Sequence, residues 1–201
     1  MVTTKLYGIR RLLKALRADA KALQLSVAPR PMMTGYDRTI IECILRSAAP
    51  AIVLEIGSGA STLVFPRRLR PGAAWRAFEH DTAWLQMVAR RVRPPASVEY
   101  CESPLAFLAA AASSCGPSTL VFLDGGDDRL DFLHSLRTAD IPSRILLHDA
   151  SRARYASVKA MYALEVVLSP PHAWDAESMQ ALAGGLSLLY TPRALAEAQP
   201  A

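Results

Sequence analysis

Apolar positions change their spacing along this chain. Between residues 5 and 25 they recur every three or four residues, which predicts an amphipathic helix with a basic opposite face. The same spacing over residues 36–48 predicts a second helix, which ends before Pro50. From residue 51 onward, short apolar runs alternate with helical segments: AIVLEIG, AAWRAFEHD, ASVEYCES, TLVFLDGG, RILLHDAS, LEVVLSP and LSLLYTP.

These seven runs predict the strands of one sheet. Helical segments separate the first five, so parallel strands with crossover helices are expected. The irregular segment PHAWDAESMQALAGG separates the last two, which we expect to pair antiparallel at the sheet edge. The fold class predicted is therefore α/β, a Rossmann-like doubly wound seven-stranded sheet, mostly parallel with an antiparallel edge strand, preceded by two helices. A basic helix and linker would occupy 1–35, the main domain 36–192 and a C-terminal tail 193–201.

Composition fits a single domain, since the chain has 201 residues, of which 51% are hydrophobic and 20% charged. The net charge of +5 is concentrated in the first thirty residues, which suggests a solvated basic face or an anionic partner. The apolar face of that helix would dock on its own domain, form a homodimer contact or lie on a membrane surface.

The three cysteines, Cys43, Cys101 and Cys115, lack metal-ligand spacing and predict free thiols in a reducing compartment. No apolar run reaches the roughly 18 residues of a membrane span, and the N-terminus does not resemble a signal peptide. We therefore expect no transmembrane segment and a cytoplasmic protein.

The stretch VLEIGSGAST follows the first strand, where nucleotides bind in open α/β sheets. Gly57 and Gly59 would allow a tight turn and a close approach to a ligand, or would serve the turn alone. A dinucleotide fingerprint requires a third glycine at position 62, and Thr62 stands there. Glu79 ends the second strand 20 residues after Gly59, where an acidic side chain accepts hydrogen bonds from a ribose. Glu55 would repel phosphates but suits a ligand with an ammonium group and a sulfonium.

This combination, E-x-G-x-G-x-S with an acidic residue ending the second strand, resembles the class I S-adenosylmethionine-dependent methyltransferases over residues 36–192. The resemblance implies S-adenosylmethionine as cofactor, with Glu55 at its methionine end, Glu79 on the ribose and His80 or Trp84 beside the adenine. Core packing is the alternative for Trp84. The cofactor-binding residues implied are Glu55, Gly57, Ser58, Gly59, Ser61, Thr62, Glu79, His80, Trp84, Glu102, Ser103 and Asp124.

Methyl transfer to an alcohol needs an aligned acceptor and removal of its proton. The segments LDGGDDR and LHDASR end the fourth and fifth strands, so their side chains should meet at the carboxyl edge of the sheet. Asp124, His148 and Asp149 are the catalytic candidates, with Asp127 and Arg152 beside the substrate. Helix capping for the aspartates, a core position for His148 and a surface position for Arg152 are the alternatives.

Two groups of methyltransferases resemble these segments. In the catechol O-methyltransferases, aspartates at the positions of Asp124 and Asp149 hold a divalent cation, but Ala150 replaces the third ligand and Asp127 the catalytic lysine. The glucuronoxylan O-methyltransferases resemble this chain in EHDTAW and LHDASR. That resemblance implies a saccharide acceptor such as a uronic acid, with Arg152 or Arg154 on its carboxylate.

The function predicted is an S-adenosylmethionine-dependent O-methyltransferase for a small-molecule or saccharide acceptor. A nicotinamide-dependent oxidoreductase and a noncatalytic cofactor-binding interaction module remain as alternatives. Nucleic acid is not expected as a partner, because aromatic residues are only 7% of the chain and no D-P-P-Y or N-P-P-Y segment occurs.

Overall fold

The computed structural model describes residues 35–116, 118–124, 129–139, 141, 143–169 and 184–198. The predicted basic helix lies outside these ranges, as do Asp127 and all but the last residue of the segment 1–35. Predictions about both therefore stay predictions, including the homodimer contact through the first helix.

Strands and helices alternate along the described residues in the predicted order. The strands are β1 Ile52–Ile56, β2 Ala74–Glu79, β3 Ala96–Tyr100, β4 Thr119–Leu123, β5 Arg144–His148, β6 Leu164–Ser169 and β7 Leu186–Tyr190. The α-helices are α1 Gly35–Ala48, α2 Ala60–Val64, α3 Thr82–Ala89, α4 Pro104–Ala112, α5 Arg129–Thr138, α6 Ala156–Lys159 and α7 Pro192–Ala198. Short 3₁₀ helices follow α2 at Phe65–Arg68 and precede α6 at Ala153–Tyr155.

The strands form one seven-stranded sheet in the order β3-β2-β1-β4-β5-β7-β6. The first five strands are parallel, and β7 runs antiparallel between β5 and β6. This confirms the predicted doubly wound class and the antiparallel pairing of the last two runs at the sheet edge. The chain reverses its direction of winding between β1 and β4, the point at which open α/β sheets bind ligands.

Two hydrophobic layers cover the sheet. Strands β1 and β4 are almost entirely buried, as expected for central parallel strands with helices on both faces. On one face, Ile41 and Leu45 of α1 pack against β1 and β4. On the other, Phe107 of α4 packs edge-to-face against Phe132 of α5, at 5.5 Å between ring centroids. The packing holds the carboxyl ends of β1, β2, β4 and β5 at one edge.

The predicted C-terminal tail, 193–201, is helical as far as Ala198, because α7 spans Pro192–Ala198. Thr191 precedes the helix, and its hydroxyl accepts a hydrogen bond from the backbone N–H of Ala194. A capping hydroxyl followed by a proline at the first helical position is a helix start that composition alone did not reveal. No helix among the described residues is both long enough and apolar enough to cross a bilayer.

Candidate active site

The glycine turn connects β1 to α2 and bends over the edge of the sheet. Gly57 has φ +83°, a left-handed conformation that favours glycine, and its N–H donates to Phe78 O at 2.9 Å. The N–H of Gly59 donates to Thr62 Oγ1 at 3.0 Å. Thr62 therefore stands at the position of the third glycine of the dinucleotide fingerprint, and its hydroxyl stabilises the turn by accepting this hydrogen bond.

Glu55 lies beneath this turn and is fully buried. Its Oε2 accepts hydrogen bonds from Thr62 Oγ1 at 2.6 Å and from Trp75 Nε1 at 2.7 Å. Burial raises the pKa of Glu55 to about 8, against the effect of nearby Ser61 and Thr62. A chain of contacts therefore runs from Trp75 in β2 through Glu55 and Thr62 to the backbone of Gly59.

Glu79 holds the turn from the end of β2. Its Oε2 accepts from the N–H and the hydroxyl of Ser58, and its Oε1 accepts from the N–H groups of His80 and Asp81, each at 3.0 Å. A carboxylate has about four acceptor positions, so these donors occupy all of them. A ribose hydroxyl could bind Glu79 only by replacing one of them, and the Ser58 hydroxyl is the one that can rotate away.

The residues predicted beside the adenine lie around the same turn. Trp84 Nε1 donates to Ser58 O at 2.6 Å, so this indole supports the turn from α3. His80 is more than half exposed, with Nδ1 3.6 Å from Oε1 of Glu79. Glu102 is exposed, and the Ser103 hydroxyl caps α4 by accepting from Ala106 N–H at 3.2 Å. Ser103 therefore has the local capping role that serine commonly takes.

Asp124 and His148 meet at the ends of β4 and β5. His148 Nδ1 lies 2.8 Å from Asp124 Oδ1, and both side chains are largely buried. Burial alone would lower the pKa of His148, but Asp124 outweighs it, so the pKa lies above its ordinary value. The pKa of Asp124 is lowered in turn, because the imidazole outweighs the burial of the carboxyl. Ser61 also interacts with Asp124, which joins this pair to the glycine turn.

Asp149 follows β5 and has φ +57°, an uncommon conformation outside glycine. Its Oδ2 accepts from Arg129 Nη2 at 3.1 Å and from Arg152 Nη2 at 2.6 Å, while its Oδ1 lies 4.0 Å from His148 Nε2. Arg129 also donates to His148 O at 2.8 Å. The structure thus brings the predicted residues Asp124, His148, Asp149 and Arg152 together, around an arginine that was not predicted.

A divalent cation does not fit the carboxylates as they are arranged. The guanidinium groups of Arg129 and Arg152 already pair with Asp149, and the imidazole of His148 pairs with Asp124. A metal ion would therefore have to displace these side chains from the two carboxylates. Ala150 at the third ligand position is buried and has no donor oxygen in its side chain. The part of the chain that the structure describes contains no group of three His, Cys, Asp or Glu side chains that could hold a metal.

Sequence reasoning missed three residues of the site. Arg129 begins α5 and is buried against Asp149. Asp37 of α1 is buried and contributes to the raised pKa of His148. Trp75, the second residue of β2, donates a hydrogen bond to Glu55. Their signals were weak: a charged residue at a helix start, or an aromatic residue in a buried strand, has a structural explanation in most proteins.

Comparisons with known proteins show the fold. The sequence matches no family profile and no curated protein. Among solved structures, TomG, an O-methyltransferase of tomaymycin synthesis from Streptomyces achromogenes in complex with S-adenosylmethionine, gives a TM-score of 0.60 at 16% identity, over 90% of this chain and 89% of that one. An O-methyltransferase from Bacillus cereus in complex with S-adenosylhomocysteine gives a TM-score of 0.61 at 12% identity, over 90% of each chain.

A third match, a putative O-methyltransferase from Klebsiella pneumoniae, has a TM-score of 0.54 at 17% identity, over 90% of this chain and 88% of that one. This chain therefore has the fold of the class I S-adenosylmethionine-dependent methyltransferases, as the motif E-x-G-x-G-x-S indicated.

Proposed function

We propose that this protein is an S-adenosylmethionine-dependent O-methyltransferase that acts on a hydroxyl of a small-molecule or saccharide acceptor. The observation that carries the proposal is the position of the Asp124–His148 pair beside the glycine turn. The N–H of Asp124 donates to Ile56 O at 3.2 Å, immediately before Gly57. A group able to take a proton therefore stands next to the turn that would hold the cofactor.

The cofactor fits the residues at this edge. The glycine turn allows close approach, Glu79 and Ser58 offer partners for a ribose, and Glu55 offers a buried oxygen for a cationic group. When bound, S-adenosylmethionine supplies an electrophilic methyl group on a sulfonium.

His148 is the proposed general base. Asp124 accepts the Nδ1 proton and so directs Nε2 toward the acceptor as the basic nitrogen. Asp124 is then a positioning residue, and Asp149 holds Arg129 and Arg152 in place. A raised pKa makes the neutral imidazole a stronger base toward an alcohol, at the cost of a smaller neutral fraction at pH 7.

An acceptor with a carboxylate, such as a uronic acid, is proposed from Arg152. Its Nε is buried and has no hydrogen-bond partner among the described residues, while Nη2 is held by Asp149. Guanidinium N–H groups bind carboxylates strongly. A cytoplasmic location is proposed as well, because the described cysteines are all free thiols.

Calorimetric titration with S-adenosylhomocysteine tests the cofactor, with reduced nicotinamide dinucleotide run in parallel and magnesium present or absent. We expect micromolar binding of the former alone, about 8 kcal/mol, without dependence on magnesium. An acceptor screen would then compare uronic acids, neutral sugars and phenols. Binding of the dinucleotide in place of S-adenosylhomocysteine would overturn the proposal and favour an oxidoreductase.

A further inference from the structure

The segments that lead into β2 and β3 share a sequence pattern. RRLRP, residues 67–71, precedes β2, and RRVRP, residues 90–94, precedes β3. In each segment the aliphatic residue, Leu69 or Val92, is partly buried, while the three arginines around it are exposed. Neither segment contains an acidic or an aromatic residue. We call the six arginines the arginine edge: Arg67, Arg68, Arg70, Arg90, Arg91 and Arg93.

The two segments lie side by side at the amino edge of the sheet, where the parallel strands begin. Ala73 N–H, just before β2, donates to Arg70 O at 3.1 Å, and Ala96 N–H, at the start of β3, donates to Arg93 O at 3.0 Å. Strands β2 and β3 are adjacent and parallel, so the two segments enter the sheet as neighbours. The arginine edge therefore lies at the end of the sheet opposite to the candidate active site.

Little negative charge compensates the arginine edge. Glu42 of α1 pairs with Arg68, at 3.3 Å between Oε1 and Nε. Arg67, Arg70 and Arg90 have no ion-pair partner among the residues that the structure describes. An excess of one charge on one surface produces a potential that attracts partners of opposite charge. Guanidinium groups also match the geometry of phosphate and carboxylate groups, to which they can donate two hydrogen bonds at once.

Helix dipoles explain only part of this pattern. A basic residue in the last turn of a helix is favourable, which accounts for Arg68 at the end of the 3₁₀ helix and for Arg90 at the end of α3. The effect falls off within that turn, and Arg70 and Arg93 lie beyond the helix ends. The remaining charge indicates an anionic partner.

The composition of the chain favours a membrane over a nucleic acid as this partner. Proteins that bind single-stranded nucleic acid stack its bases on aromatic side chains, which both segments lack. Residues 5–25 lie outside the described ranges, but their sequence predicts a helix with one basic and one apolar face. Helices of this type lie on anionic bilayers. The chain therefore offers two basic surfaces, one of which also has apolar side chains for a bilayer.

The two surfaces can reach one membrane. Helix α1 begins beside the candidate active site, because Asp37 in its first turn contributes to the raised pKa of His148. Residues 26–34 connect the predicted helix to α1, and a segment of this length spans up to about 30 Å at about 3.3 Å per residue. The sheet measures about 20 Å between its two edges, since β2 has six residues. The predicted helix can therefore lie in the plane of the arginine edge.

We propose that the arginine edge is a docking surface for the headgroups of anionic phospholipids. Its guanidinium groups bind the phosphates and carboxylates of the headgroups, and the candidate active site at the opposite edge is directed away from the bilayer. Anionic lipids of the cytoplasmic leaflet attract basic segments in this way, which agrees with the cytoplasmic location proposed above. The inference concerns a surface outside the candidate active site and does not depend on the cofactor.

Cosedimentation of the full chain with lipid vesicles tests the proposal. One set of vesicles contains phosphatidylserine mixed with phosphatidylcholine, and the other contains phosphatidylcholine alone. At about 0.15 M salt we expect binding to the first set and not to the second. The binding should be lost at about 1 M salt, because the Debye length falls from about 8 Å to about 3 Å.

A triple variant, Arg67→Gln, Arg70→Gln and Arg90→Gln, removes three charges without breaking an ion pair between described residues. We expect its affinity for the phosphatidylserine vesicles to fall about 100-fold, since each basic residue near such a surface contributes about fivefold. The matched control replaces the same three residues by lysine, which keeps the charge, and should bind like the wild type. Both variants should give the circular dichroism spectrum of the wild type.

Three results would overturn the proposal. Equal binding to both sets of vesicles would show that apolar contact alone holds the protein. Wild-type binding by the glutamine variant would show that the arginine edge takes no part. Binding to random-sequence duplex DNA, without binding to the phosphatidylserine vesicles at the same salt, would identify a nucleic acid as the partner. Should the glutamine variant fail to fold, Arg70→Gln alone should lower the affinity about fivefold, and an unchanged affinity would refute the docking surface.

Discussion

His148 Nδ1 lies 2.8 Å from Asp124 Oδ1, although helix α5 separates the two residues in the chain. The contact exists because β4 and β5 are adjacent parallel strands whose carboxyl ends meet at one edge. A carboxylate on one ring nitrogen fixes the proton there and leaves Nε2 as the basic nitrogen. The proposed chemistry depends on this relationship.

Replacing His148 tests the base directly. His148→Gln should lower kcat about 100- to 10,000-fold, the usual contribution of general base catalysis, with cofactor affinity unchanged. His134→Gln, on the exposed side of α5, is the matched control and should retain wild-type turnover. Full activity in His148→Gln would rule out this base.

The pH profile should reflect the environment of His148. Because the pKa is raised above 6.5 by Asp124, kcat/KM should rise with pH along a limb centred above that value. Asp124→Asn removes the negative charge, so the limb should move to lower pH while the maximal rate falls. An unshifted limb would mean that another group titrates in the profile.

Glu79→Ala should weaken S-adenosylhomocysteine binding by about 10-fold or more and leave the fold intact. The substitution removes the proposed ribose contact and also the carboxylate that accepts hydrogen bonds from the N–H groups of Ser58, His80 and Asp81. An N–H group left without a partner in the fold costs free energy. Calorimetry and circular dichroism would measure the two effects. Glu99→Ala, on the neighbouring strand β3, removes an ion pair with Arg76 instead and should bind normally.

Thr62→Val keeps the volume of the side chain and removes its hydroxyl. It should lower the free energy of unfolding by about 1–3 kcal/mol, because Gly59 N–H and Glu55 each lose a buried partner. Urea denaturation measures this. Thr82→Val, at an exposed position of α3, should change stability by no more than about 0.5 kcal/mol. Equal effects at the two positions would show that Thr62 does not hold the turn.

Glu55 should also affect stability as a function of pH. Its pKa is about 8 in the folded protein and 4.5 as an ordinary carboxyl, so between these values the folded state binds the extra proton. Stability from this group therefore decreases as pH rises, by about 1.4 kcal/mol per pH unit. Glu55→Gln should lack this decrease, so its stability relative to the wild type should grow from pH 5 to pH 8. A constant difference would show that Glu55 is ionised in the fold.

The sequence by itself determined the fold class and indicated where the candidate site lies. The spacing of apolar positions marked all seven strands, and VLEIGSGAST and FEHD marked the edge at which we propose that the cofactor binds, because such turns have strict local requirements. That the residues ending β4 and β5 lie close together could be predicted for another reason: the carboxyl ends of adjacent parallel strands share one edge of the sheet.

Only the tertiary structure decided which of these side chains act on one another. Asp149 is paired with Arg129 and Arg152 in place of a metal ion, and Glu55 accepts a hydrogen bond from Trp75 beneath the turn. These contacts join side chains on different strands and helices, and their charge states follow from burial. Neither the contacts nor the charge states are properties of local sequence, so spacing and composition could not predict them.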